Sequence, residues 1–76
     1  MVARRGLYAR RILARNVLRL RKARKMNQEE LADAARLAQS QISKIEGAKT
    51  NIRLDILQSL AAGLSVRLAD LFEENR

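Results

Sequence analysis

The residues best equipped for chemistry are amides, hydroxyls and one ammonium gathered in a single window, Gln39, Ser40, Gln41, Ser43 and Lys44. Such groups donate and accept hydrogen bonds, and that is the capacity that distinguishes base-pair edges in the major groove of B-DNA. Lys44, one turn beyond Ser40, can donate to guanine O6 or N7, or rest on a phosphate with less sequence preference. The bland alternative, an exposed and merely solvated face, has to be weighed against the elements that carry these residues.

Two short helical patterns hold the window. Residues 28–35 read as one helix, with Asn27 as N-cap, Leu31 and Ala35 repeating at i, i+4, and Glu29 and Glu30 in the first turn, where the helix dipole favours them. Arg36, Leu37 and Ala38 interrupt the pattern, and residues 39–46 form a second helix with Ile42 and Ile45 on one face. Two helices meeting steeply across so short a turn need a small side chain where they touch, which Ala32 supplies. The polar residues are then left on the outer faces of the second helix.

This window resembles the helix-turn-helix of the phage-repressor and Cro-type family, also called XRE-type regulators. The resemblance runs from about Val17 to Phe72. It rests on Arg21, on Asn27 to Ala32, on Gln39 to Glu46, and on Leu54, Leu57, Ala61, Leu64, Val66 and Asp70-Leu71-Phe72, in that order and spacing. It implies an all-α, five-helix, lambda-repressor-like domain whose helices two and three form the helix-turn-helix. The sequence departs from the family pattern at three places. Arg36 stands where Gly is usual, Gly47-Ala48 replaces a basic-Gly pair, and Ile52 stands where Pro is common. A left-handed turn at Arg36 is costly for a side chain other than Gly.

The resemblance also implies roles. Gln39 becomes the leading base reader, able to bond adenine N6 and N7 together, with Ser40, Gln41 and Lys44 beside it. Gln28 is expected to donate to a phosphate at the start of helix two and to brace Gln39. Ser43, Lys49, Asn51 and Arg53 are expected to hold the DNA backbone. Arg21 and Glu46 are expected to pair between helix one and the end of helix three, as structure rather than DNA contact. Leu68, Leu71 and Phe72 are expected to supply a dimer contact on helix five.

Composition supports the same partner. All ten basic residues up to Lys25 precede the first acid, Glu29, while the remainder carries six basic and eight acidic residues, so the net charge of +8 resides in the N-terminal third. Such a segment attracts polyanions through long-range Coulomb forces and counterion release. It also has the Arg-rich, acid-poor look of an organellar targeting peptide. Leu13, Val17 and Leu20 count against that reading, because they continue without a break into the first helix. Residues 1–8, with Arg4 and Arg5, read as a basic arm that follows the backbone or enters the minor groove, or as a solvated start, and residues 9–76 as a single domain.

At 76 residues with one Tyr, one Phe and no Trp or Pro, the core must come from Leu, Ile, Val and Ala, a composition that favours helices. The coarse reading is five helices near 9–24, 28–35, 39–46, 53–62 and 67–73, with Leu31, Ile42, Ile45, Leu54 and Leu57 in the core and Gly63 as the C-cap of helix four. The absence of His and Cys removes histidine bases, thiol nucleophiles and the usual zinc ligands, so neither an enzyme nor a cofactor is expected. No stretch approaches the roughly 20 apolar residues of a membrane span.

Together these readings predict a cytoplasmic homodimer binding double-stranded DNA, of the phage-repressor, controller-protein or antitoxin kind, the last with a toxin as protein partner. The competing expectation is a bridging module of the same fold that meets protein and holds DNA only non-specifically.

Overall fold

The computed structural model describes residues 2–74, with side chains from residue 6 onward. It contains α1 (Val2–Ala23), α2 (Gln28–Ala35), α3 (Gln39–Glu46), α4 (Leu54–Leu64) and a C-terminal 3₁₀ helix, Leu68–Phe72. The fold is all-α, with the fifth element a single 3₁₀ segment instead of an α-helix.

Helices α2 and α3 begin and end where the sequence pattern places them. Asn27 is extended, its Oδ1 accepts the Glu30 N–H at 2.7 Å, and Glu30 Oε1 accepts the Asn27 N–H at 2.8 Å. This reciprocal box satisfies two donors that the first turn leaves free. At the other end Arg36 adopts φ 60°, ψ 43°, and Leu37 N–H closes the turn onto Ala32 O at 2.9 Å. The chain thus takes the left-handed turn without glycine, at a cost of about 1–2 kcal/mol. Lys25, Ala48 and Ser65 are also left-handed, and none of the described glycines is.

α1 is longer than the apolar repeat indicates, starting at Val2 instead of near residue 9. The backbone of residues 2–8 is therefore helical, while the side chains of Arg4 and Arg5 lie outside the described residues.

α4 corrects two further expectations. Leu54 is 77% exposed, and Leu60 takes its place in the buried stripe with Leu57, Ala61 and Leu64. Side chains lean toward a helix's N-terminus, so the first residue of α4 projects off the helix end into solvent. Gly63 is not the C-cap. It lies inside α4, where a Cβ would fall 2.8 Å from Ala35 Cβ and 2.9 Å from Ala35 Cα. It is a point of close approach between α4 and α2, and Ser65 is the cap.

The core joins Leu13 and Val17 of α1, Leu31, Ala32 and Ala35 of α2, Ile42 and Ile45 of α3, the α4 stripe and Leu71. Val17 and Leu13 are thus part of the domain's core. Leu71 is fully buried within one chain and is not available for a subunit contact, whereas Leu68 and Phe72 are 43% and 40% exposed.

Asn16 closes the structure. This Asn is 2% exposed, and its Nδ2 donates to Leu71 O and Glu73 O, each at 2.9 Å. One amide thereby satisfies two carbonyls at the end of the 3₁₀ segment, where the helix supplies no donor of its own.

Candidate nucleic-acid interface

α3 packs Ile42 and Ile45 inward and leaves Gln39, Ser40, Ser43 and Lys44 exposed. Gln39 and Ser40 are its first two residues, where backbone N–H groups also lack helical partners. These residues form an outward, polar, hydrogen-bonding edge of a size suited to the major groove.

Gln41 has a different task. Its Oε1 accepts the Ala38 N–H at 2.9 Å, closing the start of α3 where Ala38 has no side-chain acceptor. The amide is partly spent on capping, and Gln41 is half-buried instead of projecting with Gln39.

The side chain of Gln28 is turned to the protein. Its Nε2 donates to Glu46 Oε1 at 2.9 Å. No hydrogen bond to Gln39 is recorded among the described residues, so the brace read from the sequence is replaced by a link from α2 to the end of α3. The same carboxylate receives Arg21, from Nε to Oε2 at 2.6 Å and from Nη2 to Oε1 at 3.1 Å, while Arg21 Nη1 donates to Met26 O at 2.8 Å. The hydrogen bond to Glu46 holds the guanidinium still more firmly protonated than usual, against the opposing effect of burial.

Beyond α3 the loop brings several expected residues together. A depression of about 300 Å³ is lined by Gln41, Lys44, Thr50, Asn51 and Arg53 together with the apolar Ile45, Ile52 and Ile56. Lys49 and Asn51 are exposed, and Arg53 pairs with Asp55 at 2.8 Å in full solvent, a contact that a phosphate can replace at little cost. Thr50, which sequence reading passed over, contributes a hydroxyl that donates to Asn51 O at 3.1 Å. Ala48 carries the turn into this loop at φ 57°, in the place where the family pattern has Gly.

Among the described residues no group of His, Cys, Asp or Glu is arranged to hold a metal, and no helix is long and apolar enough to cross a membrane.

The helix-turn-helix family model matches residues 17–71, and these contain every element of the edge just described. The chain belongs to that family. Helix-turn-helix members are DNA-binding transcriptional regulators, not enzymes, and this chain is one of them.

Solved structures agree. A hypothetical transcription factor, NHTF, from Neisseria superposes with a TM-score of 0.82 at 32% identity, covering 86% of this chain and 75% of that one. The restriction-modification controller protein C.AhdI from Aeromonas hydrophila gives 0.80 at 27% identity, covering 83% of this chain and 96% of its own. A transcriptional regulator from Vibrio cholerae gives 0.85 at 19% identity over 88% of this chain and 38% of that one, a likeness of fold alone. No curated protein matches the sequence. The helix-turn-helix assignment leaves the N-terminal part of α1, before Val17, outside the matched span.

Proposed function

We propose that the protein is a sequence-specific regulator that binds a pseudo-palindromic operator as a homodimer, with Gln39 and Ser40 as the principal base readers. The observation that carries this reading is the outward presentation of Gln39, Ser40 and Lys44 on a helix whose opposite face is locked into the core. Gln39 suits adenine, and Lys44 suits guanine or a phosphate. Ser43, Lys49, Asn51, Arg53 and the N–H groups at the start of α2 near Gln28 serve the backbone, and the cations Arg4 and Arg5 add affinity without sequence choice.

A single domain of this size reads only a few base pairs. Two copies on half-sites about one helical turn apart gain both affinity and specificity. Leu68 and Phe72, partly exposed beside the buried Leu71, supply apolar surface for that contact. A compact controller-type or autoregulatory repressor is the form best supported, since the likeness to C.AhdI extends over 96% of that chain. On this reading the protein acts in the cytoplasm, with the DNA that it binds.

The deciding experiment is selection of bound duplexes from a randomised library near physiological salt, with the stoichiometry of the selected complex measured. An enriched inverted repeat bound by two chains supports the proposal. Weak binding with no enrichment overturns it in favour of a protein-bridging module.

A further inference from the structure

The charge of α1 exceeds what its place in the fold requires. The helix carries no acidic residue. Its cations are arranged unevenly around it. Arg21 turns to Glu46 of α3 on one flank, Asn16 turns to Leu71 and Glu73 on the other, and Leu13 and Val17 face the core between them. At 3.6 residues per turn, Arg11, Arg15 and Lys22 fall opposite Leu13 and Val17, with Tyr8 and Arg19 leaning to the flank away from α3. All five are exposed.

The ion pairs among the described residues use Arg21, Arg53 and Arg67, not these cations. Tyr8, Arg11 and Arg15 also precede the span that the helix-turn-helix model matches, so the family fold does not call for their charge. Arg11 to Lys22 extends about 16 Å at 1.5 Å per residue, a length along which one strand of a duplex presents roughly five phosphates at 3.4 Å each.

We infer that the outward face of α1 is a second nucleic-acid surface, one that takes the phosphate backbone of a duplex other than the one α3 holds. The face lies opposite Leu13 and Val17 and away from the flank on which Arg21 meets Glu46, so it does not share a side of α1 with the recognition helix. Every charge that α1 itself contributes to it is positive, although Arg15 and Arg19 also border a depression shared with Asp70 and Glu73, and its exposed Tyr8 adds a ring that can lie against a sugar edge. The chemistry favours a regular polyanion without base preference. The consequence is bridging, in which a regulator bound through α3 gathers a second DNA segment.

The test is co-capture of a free, labelled, random-sequence duplex by an immobilised duplex in the presence of the full chain, read across a salt series. Wild type is expected to capture the second duplex. The variant Arg11→Ala/Arg15→Ala/Lys22→Ala is expected to weaken capture well beyond any weakening of single-duplex binding, with the salt slope of capture smaller by roughly one unit per residue removed. The pair Arg11→Ala/Lys22→Ala removes no recorded side-chain hydrogen bond and so keeps folding out of the comparison; it is expected to lose part of the capture at an unchanged melting temperature.

Gln39→Ala should retain capture, which separates this inference from the operator reading. Several results overturn it: no capture by wild type, equal capture by the triple variant, or parallel loss of single-duplex binding. Displacement of the second duplex by phosphatidylserine vesicles of equal charge, or a fall in solution mass on removing the cations, would equally do so, marking a lipid or a subunit surface instead.

Discussion

The Arg21 guanidinium and the Glu46 carboxylate meet in a two-pronged pair, 2.6 Å and 3.1 Å, that fastens α1 to the last residue of α3. A carboxylate at a helix C-terminus opposes the helix dipole. Glu46 is tolerated there because Arg21 and Gln28 both donate to it. Glu46→Ala therefore leaves a largely buried guanidinium without its partner, and the expected loss is about 3 kcal/mol. Urea denaturation checks this. A loss below about 1 kcal/mol would give the pair only the value of an exposed one.

Gln39→Ala should weaken binding to the selected operator by about 1–3 kcal/mol, the value of one two-pronged base contact, while sparing random DNA. Titration of both duplexes at one salt concentration measures the difference. An equal loss on both would move Gln39 from the base edge to the backbone.

Ala48→Gly should stabilise the fold. Ala48 sits at φ 57°, where a Cβ costs about 1–2 kcal/mol. Glycine removes that strain but frees the unfolded chain by about 0.4–1 kcal/mol. The expected net gain is about 0.5–1 kcal/mol, visible as a raised melting temperature. A lower melting temperature would mean that the Ala48 methyl group contributes packing that outweighs the strain.

Asp70 accepts the Arg67 backbone N–H at 2.9 Å and its guanidinium at 3.2 Å, and these bonds, the backbone one first, hold its carboxyl below the ordinary range. Because the folded pKa is the lower one, the contribution is present above the unfolded pKa and is lost as pH falls through the folded pKa. The stability gap between wild type and Asp70→Asn should therefore be constant near neutrality and close on acidification. A gap that persists in acid would assign the effect to packing.

Much of this was legible in the sequence, for identifiable reasons. Asn27 and the Leu31–Ala35 repeat define α2, and the Ile42–Ile45 pair orients α3, because capping and periodicity are local signals. Leu54 and Leu60 share similar spacing to Leu57, and only the position of the helix end shows which is buried. Leu71 reads as spare apolar surface until the 3₁₀ turn folds it inward. Gln41 reads as a groove residue because its amide suits both a base and a backbone N–H. Asn16 gives no signal, since a polar residue in a basic helix looks like surface and its partners lie 55 and 57 residues away. Gly63 reads as a cap because the backbone of Ala35, which excludes its side chain, belongs to another helix.

That distant Asn16 bond also shapes how the domain opens. The α2-to-α4 region can assemble from neighbours in sequence, but α1 is sealed only when the far end of the chain folds back onto it. Thermal opening should accordingly begin at this clasp, with the amides of the 3₁₀ segment exchanging with solvent before those of α2 and α4. Two carbonyls held by one side chain make the joint between α1 and the 3₁₀ segment the domain's latch.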